Sequence, residues 1–218
     1  MSLQQLDSID PLEFKAIIAE LQRQPLEINK YRANVGIGRS QCFGIVSKRS
    51  LAPDLSRNSW RRAYLHHLLM NYANKHVKIP FTSIQVNQDM HCDEHLDKGN
   101  IGLSYIVGFG EYPEGGNLWV AGYSHNIRYR PLLFDGSKQP HKTEVWRGNR
   151  FTLVFHTVKP KSSYAPLMSA LSVYQTFLDT DGKWKIKDTR NDAVYWRNNG
   201  LPHPLKNRKK IIPTSPIE

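Results

Sequence analysis

Two His-x-Asp triplets within the segment 91–97 contain residue types that bind metal ions. His91 and Asp93 form the first triplet, and His95 and Asp97 form the second. Side chains two residues apart on an extended chain point to the same side of the backbone, so either triplet can offer an imidazole and a carboxylate to one ion. The spacing alone leaves both triplets open as the first two ligands of such a site.

A third ligand has to come from a distant part of the chain, and His141 is a good candidate. It follows a predicted short strand and turn over residues 132–136. Two histidines and one carboxylate on one face of an octahedron leave three coordination positions open. Non-haem Fe(II) oxygenases use this arrangement to bind a two-pronged cosubstrate and O₂. These residue types therefore predict an iron-dependent oxidation.

A cosubstrate with a second carboxylate also needs a positive group at its far end. Arg150 follows His141 by nine residues and begins the apolar run 151–155, which predicts a strand. The planar guanidinium of an arginine can bind a carboxylate through two parallel hydrogen bonds. Thr152 lies two residues further along, on the same face of that strand, where its hydroxyl can add another hydrogen bond.

Several short motifs follow one another in order between residues 82 and 157. They are His95-Leu-Asp97-Lys-Gly-Asn100-Ile-Gly102-Leu-Ser104, Gly108-Phe-Gly110-Glu-Tyr112-Pro-Glu-Gly115-Gly116, Phe134-Asp-Gly136, His141, and Gly148-Asn-Arg150-Phe-Thr152. Together they resemble the Fe(II)- and 2-oxoglutarate-dependent dioxygenase superfamily. Within it they most resemble the TET/JBP-like branch, which oxidises methyl groups on pyrimidine bases. The matching region covers somewhat over a third of the chain.

The resemblance implies a double-stranded β-helix, a jelly-roll or cupin-like fold, with Fe(II) at its open end. It also implies 2-oxoglutarate as cosubstrate and O₂ as oxidant. His95 and Asp97 match the first two iron ligands, because the following residues keep the family's spacing, and His141 matches the third. Arg150 matches the residue that pairs with the cosubstrate, and Thr152 supports it. These expectations favour the second triplet over the first.

Five further residues receive expected roles near the site. Gln85 and Asn87 share one face of a preceding strand, in a region that contacts the cosubstrate in related enzymes. Asn100 matches a polar position that touches substrate or braces the site. His91 is then expected near the mouth of the pocket as a substrate contact. Trp119 is a further candidate substrate contact, because bases stack on aromatic rings.

The elements that must position these residues change character near residue 81. Before it, Asp10 and Pro11 predict the start of a helix that runs to Pro25. A second helix is predicted over about 59–76, with a short strand around 43–46 between the two helices. After residue 81 the apolar period falls to two, and strands are predicted near 84–86, 101–109, 118–120, 126–129, 132–134, 151–155, 172–178 and 184–187.

This succession predicts an α+β fold, mainly β, in which N-terminal helices support a jelly roll. We expect one dioxygenase domain over residues 1–205, with a helical part over 1–80 and a jelly-roll core over about 81–190. Residues 206–218 form a basic tail that we expect to be flexible.

The composition adds expectations about partners and location. Thirty Lys and Arg against nineteen Asp and Glu give a net charge of +11, which favours a polyanion such as DNA or RNA. A basic groove beside the iron is therefore expected. The sequence has only two cysteines, which predicts a reducing intracellular compartment. Its first residues lack the basic-then-apolar pattern of a signal peptide, and it has no long apolar run. We therefore expect a soluble protein without membrane association. A monomer is favoured.

Other interpretations stay open on these residues. His141 can be an ordinary loop histidine, and Arg150 can form a structural salt bridge with Asp135 or Glu144. The same fold also serves hydroxylases of protein side chains or small molecules. A third hypothesis is a non-catalytic module that binds nucleic acid. Metal affinity and cosubstrate turnover distinguish the enzyme from the binding module.

Overall fold

The computed structural model describes residues 3–28, 37–48, 51–159 and 174–189. The predicted tail 206–218 lies outside the described residues. The helices are α1 (Lys15–Arg23), α2 (Arg57–Arg61) and α3 (Ala63–His76). The strands are β1 (Gln4–Gln5), β2 (Arg39–Lys48), β3 (Leu51–Leu55), β4 (Ser83–Gln88), β5 (Asn100–Gly115), β6 (Leu118–Val120), β7 (Tyr123–His125), β8 (Leu132–Phe134), β9 (His141–Thr143), β10 (Trp146–Val158), β11 (Tyr174–Leu178) and β12 (Trp184–Asp188).

Two antiparallel sheets and a separate two-stranded hairpin form the β part of the described fold. The main sheet has the order β1-β8-β5-β10-β4-β2-β3, and the smaller sheet has the order β7-β6-β9. Strands that are neighbours in the main sheet are often distant in sequence, since β10 pairs with both β4 and β5. The hairpin of β11 and β12 packs against α3, where Trp184 stacks on His67 with ring centroids 4.0 Å apart. The architecture is the predicted α+β type, dominated by β structure.

Alternation along β10 separates the core of the protein from a cleft. Phe151, Leu153 and Phe155 are buried and pack with apolar residues of α1 and α3. The residues that alternate with them face the opposite side, where Arg150, Thr152 and Val154 line the cleft. Each fully buried Leu or Phe stabilises the fold by roughly 1.5–3 kcal/mol. This apolar face therefore holds the strand in one register and leaves its polar face directed at the cleft.

The first helical segment begins as predicted. Oδ1 of Asp10 accepts a hydrogen bond from the backbone N–H of Leu12 (2.9 Å), and Pro11 takes the first position of a 3₁₀ turn that leads into α1. The predicted second helix is instead two helices, α2 and α3, which are separated at Arg62. The buried side chain of Arg62 donates to Oε1 of Gln41 (2.8 Å) on β2. Because this contact joins distant segments of the chain, the local helical pattern does not reveal it.

The strands differ from the prediction in several respects, and β1 and β9 were not predicted at all. β2 is longer than the expected 43–46 and, with β3, joins the main sheet, so the part before residue 81 is not only helical. The central strands β5 and β10 are also longer than predicted. The expected strand 126–129 was wrong: the described strand there is β7, and Tyr129 has a left-handed backbone with φ of 55°. No described helix is both long and apolar enough to cross a membrane.

Candidate active site

His95, Asp97 and His141 come together where the segment before β5 meets the smaller sheet. The backbones of His95 and His141 form an antiparallel bridge, and each N–H donates to the other's carbonyl over 3.1 Å. The N–H of Asp97 donates to the carbonyl of Gly136 (2.8 Å). The segment that carries the second triplet is therefore attached to β9 and to the turn after β8. This attachment places His95 beside His141, which lies 46 positions later in the sequence.

The three side chains form a compact set of metal-binding atoms. Their ligand atoms all lie within 4.8 Å of one another. Oδ1 of Asp97 is 3.8 Å from Nε2 of His95, and Oδ2 of Asp97 is 3.7 Å from Nε2 of His141. Two imidazoles and one carboxylate are the donor set suited to a non-haem Fe(II) site. The residues present fit the metal that the sequence predicts.

Hydrogen bonds orient each of the three groups. Nδ1 of His95 donates to the carbonyl of Asp93 (2.7 Å), and Nδ1 of His141 donates to the carbonyl of Gln139 (3.0 Å). A carbonyl only accepts, so both rings carry their proton on Nδ1 and present the lone pair of Nε2. Burial, more than any other cause, lowers the pKa of His141, which favours the neutral form that a metal ligand needs. Nδ2 of Asn100 donates to Oδ2 of Asp97 (3.3 Å).

The floor of the cleft is a row of polar side chains across β10, β4 and β2. Thr152 pairs with Asn87 across the ladder, and Asn87 pairs with Ser40. Nδ2 of Asn87 donates to Oγ1 of Thr152 (3.0 Å), and Oγ of Ser40 donates to Oδ1 of Asn87 (2.7 Å). Nε2 of Gln85 donates to Oγ of Ser40. The predicted residues Gln85, Asn87 and Thr152 are thus joined into one network through Ser40.

Arg150 lies at the same cleft and is only 2% exposed. Its Nε donates to the carbonyl of Gly116 (3.0 Å), and its guanidinium carbon lies 5.8 Å from the ring centroid of Tyr112 and 5.3 Å from that of Trp146. Burial lowers its pKa, but an arginine guanidinium keeps its charge in proteins. Buried Nη2 has no hydrogen-bond partner among the described residues. Because an unpaired buried charge is costly, this environment suits a bound anion.

The hairpin glycine Gly116 has a specific function beside Arg150. Its φ is +71°, and a Cβ at this position would lie 2.8 Å from the ring of Tyr112 and 3.0 Å from Cδ of Arg150. The glycine therefore lets the backbone approach closely enough for its carbonyl to hold the guanidinium. Burial raises the pKa of Tyr112 to about 12, so its phenol stays protonated beside the arginine.

The remaining predicted residues are distributed unevenly around the cleft. Asn100 lines it and braces Asp97. His91 does not line it: its Nε2 lies 3.4 Å from Oδ1 of exposed Asp93, so the structure does not bring the first triplet to the cluster. Trp119 does not line the cleft either. Nζ of Lys142 lies 4.8 Å from the centroid of the Trp119 ring. On β6, Trp119 lies between the buried residues Leu118 and Val120.

Several cleft residues were missed by the sequence interpretation. They are Ser40, Met90, Cys92, Lys142, Thr143 and His156. His156 shares its strand face with Arg150 and Thr152, so a strict period of two on β10 could have identified it. Ser40 had no such signal, because β2 was predicted to begin only at residue 43. The alternative salt bridge of Arg150 with Asp135 or Glu144 is not formed; described Asp135 pairs with Lys138.

The described residues are closer to charge balance than the whole chain. The described residues contain 20 of the 30 Lys and Arg but 17 of the 19 Asp and Glu. Asp93 and Glu94 are exposed beside the cluster, and Nζ of Lys142 lies 4.0 Å from Oε2 of Glu94. The surplus of positive charge is therefore carried mainly by the rest of the chain. The basic groove expected beside the metal cluster stays a prediction.

Two solved structures share the fold of this chain at low sequence identity, and a third is similar at a lower TM-score. A 2-oxoglutarate–Fe(II) oxygenase-family oxidoreductase from Burkholderia pseudomallei matches with a TM-score of 0.51 and 17% identity, over 71% of this chain and 84% of that one. NgTET1 in complex with 5mC DNA matches with a TM-score of 0.50 and 15% identity, over 72% of each chain. A Pseudomonas putida prolyl-4-hydroxylase gives a TM-score of 0.45 and 16% identity, over 73% of this chain and 93% of that one.

No protein-family model matches the sequence, and a search of curated proteins gave no match. Likeness at these identities concerns the fold rather than the activity. The predicted jelly-roll fold is confirmed, and it is a fold that this chain shares with 2-oxoglutarate–Fe(II) oxygenases.

Proposed function

We propose that this chain is an Fe(II)- and 2-oxoglutarate-dependent dioxygenase that hydroxylates a C–H bond. One observation carries the proposal: a single cleft contains both the His95–Asp97–His141 cluster and the buried guanidinium of Arg150. Metal-binding clusters and buried arginines each occur in many kinds of protein. Their combination suits a cosubstrate that binds the metal at one end and carries a carboxylate at the other.

The described residues have distinct tasks in this proposal. Nε2 of each histidine and a carboxylate oxygen of Asp97 would hold Fe(II). The bound ion supplies an oxidation in which 2-oxoglutarate and O₂ become succinate and CO₂ while one oxygen atom enters a substrate C–H bond. Arg150 binds the far carboxylate of 2-oxoglutarate, and the hydroxyl of Thr152 donates a hydrogen bond to it. The sheets around the cleft position the reactants and exclude water.

For the substrate we propose a methyl group on a pyrimidine base of DNA or RNA. The net charge of +11 supports attraction to a polyanion. NgTET1, which has this fold, is known in complex with 5mC DNA. A base must be single-stranded or flipped out of its duplex to reach such a cleft. Because the described residues are nearly balanced in charge, we propose that basic residues elsewhere in the chain supply much of the attraction to phosphate.

The test is a turnover measurement with purified protein. The protein is incubated anaerobically with Fe(II) and 2-oxoglutarate, O₂ is admitted, and succinate is measured with and without methylated DNA or RNA. Succinate that rises with the methylated nucleic acid, with one hydroxylated base formed per succinate, is the expected result. No succinate from protein that has bound iron would contradict the dioxygenase proposal and favour a non-catalytic binding module.

A second substrate class has a specific observation in its favour. Exposed Asp93 and Glu94 beside the metal cluster would repel a phosphate backbone. This local charge suits a protein side chain or a small molecule better than a polyanion. Slow succinate formation that nucleic acid does not change would support this alternative and retain the dioxygenase chemistry.

A further inference from the structure

Four polar side chains on the cleft floor are linked by three consecutive hydrogen bonds, and each side chain in the series donates to the next. Gln85 donates to Ser40, Ser40 donates to Asn87, and Asn87 donates to Thr152. Their positions come from three strands that are far apart in sequence, since Ser40 is 47 residues from Asn87 and Asn87 is 65 residues from Thr152. Thr152 is buried and lies two residues from Arg150 on the same face of β10.

The direction of these hydrogen bonds decides what Thr152 can offer to the cleft. A hydroxyl has one proton to donate and lone pairs to accept. Because Nδ2 of Asn87 donates to Oγ1 of Thr152, the hydroxyl proton of Thr152 is not needed for any hydrogen bond among these four side chains. The amide of Asn87 is held in this orientation because Ser40 donates to its Oδ1 (2.7 Å). If the amide were reversed, Thr152 would donate to Asn87 and present only lone pairs to an anion beside Arg150.

We infer that Ser40 is a positioning residue that makes Thr152 a hydrogen-bond donor to the carboxylate of the cosubstrate. This inference rests on the proposed function, since it takes 2-oxoglutarate as the anion at Arg150. The Ser40 hydroxyl bonds to two side chains of β4, but it is not the main contact that holds β2 in the sheet. That task belongs to the backbone, which pairs with β4 across residues 39–44 and donates from Ser40 N to the carbonyl of Glu27 (3.0 Å).

The first test compares Ser40→Ala with Ser40→Thr. Binding of 2-oxoglutarate is measured by calorimetry with Mn(II) in place of iron, so the result does not depend on turnover. We expect the Kd for 2-oxoglutarate to rise about 5-fold in S40A, the size of one lost hydrogen bond. S40T keeps the hydroxyl and is expected to stay near the wild-type value. Mn(II) affinity and Tm should change little in either variant, because the metal ligands and the apolar face of the sheet are untouched.

The second test asks whether Ser40 acts through Thr152. Thr152→Val removes the hydroxyl at nearly constant volume and should raise the Kd by about 10-fold or more, as expected for a hydrogen bond to a charged group. In a T152V background, S40A should then add almost nothing, because residues that act through one another are not additive. If the two effects multiply instead, Ser40 contacts the cosubstrate directly, and the inference is overturned.

The outcomes also separate this inference from the proposed function. Wild-type protein that binds 2-oxoglutarate, together with S40A that binds it equally well, overturns the role of Ser40 alone. Wild-type protein that binds Mn(II) but no 2-oxoglutarate overturns the proposed function, and the role of Ser40 with it.

Discussion

At the scale of single residues, the two His-x-Asp triplets differ in their surroundings. His95 and Asp97 lie beside His141, and Nδ1 of His95 is held by a backbone carbonyl. His91 instead lies 3.4 Å from the carboxylate of Asp93, and both side chains are largely exposed. His95 and Asp97 are therefore preorganised for a metal, whereas His91 and Asp93 form a solvated contact.

This difference predicts unequal effects of two alanine substitutions. His95→Ala should lower Fe(II) or Mn(II) affinity by at least 100-fold and abolish succinate formation, because one of the three ligands is lost. His91→Ala should change the metal affinity and the rate of succinate formation less than 3-fold each. Metal titration by calorimetry and a succinate assay measure both. If H91A silences turnover and H95A does not, the assignment of ligands is wrong.

Gly136 is a second residue-scale position with a sharp prediction. A Cβ there would lie 3.2–3.3 Å from Phe134, from Oδ2 of Asp97 and from Cε1 of His141, so both ligands would have to shift. We expect Gly136→Ala to weaken Mn(II) binding by roughly 10-fold, the usual size of a disturbance next to the ligands. Gly99→Ala is the matched control, because an added Cβ there meets nothing within 4 Å. Equal Mn(II) affinity in the two variants would contradict this account.

At the scale of elements, the buried side chain of His66 on α3 makes the free energy of unfolding depend on pH. This side chain is 1% exposed, and burial lowers its pKa to about 4 from 6.5. The unfolded chain therefore binds the proton more tightly than the folded chain. The stability that the folded protein has with His66 neutral is fully present above about pH 6.5. As the pH falls from 6.5 toward 4, the free energy of unfolding decreases by about 1.4 kcal/mol per pH unit through this group.

The corresponding prediction compares the wild type with His66→Leu. Between pH 7 and pH 5 the free energy of unfolding of the wild type should fall by about 2 kcal/mol more than that of the variant. Denaturant unfolding at the two pH values measures the difference directly. An identical pH response would show that His66 is not held neutral in the folded protein.

At the scale of the whole molecule, charge is distributed unevenly along the chain. The segments outside the described residues contain 10 of the 30 Lys and Arg but only 2 of the 19 Asp and Glu. Among these segments, the C-terminal stretch has four basic residues within five positions, which are Lys206, Arg208, Lys209 and Lys210. If nucleic acid is the substrate, these residues are candidates for phosphate contacts.

Replacing the four residues by glutamine should weaken binding of duplex DNA and reduce the slope of log K against log salt by up to about 3.6, which corresponds to four lost phosphate contacts. Binding of 2-oxoglutarate should not change, because Arg150 and Thr152 are untouched. The control neutralises four exposed basic residues that lie in or just beyond the helices: Lys15, Arg57, Arg61 and Lys78. An unchanged salt slope in the tail variant, or an equal fall in the control, would contradict a specific role of this stretch.

The main features of the candidate site could be predicted from local sequence. A period of two puts Arg150 and Thr152 on one face of a strand wherever that strand lies, and the chemistry of imidazole and carboxylate is the same in any fold. The break between α2 and α3 could not be predicted in this way. It coincides with the contact of Arg62 with Gln41, two residues that are 21 positions apart. The orientation of Trp119 depends on the pairing of β6 with β7 and β9.

The sequence by itself predicted the helical regions and the central strands, the residue types available for a metal and an anion, and the polar face of β10. The family resemblance favoured His95 over His91, but only the tertiary structure brought His95 beside His141 and joined Ser40 to Gln85, Asn87 and Thr152. The physical reason is that strand pairing between distant segments depends on which faces are buried together. A local period determines which side of a strand a residue occupies, but not which residue of another strand lies opposite it.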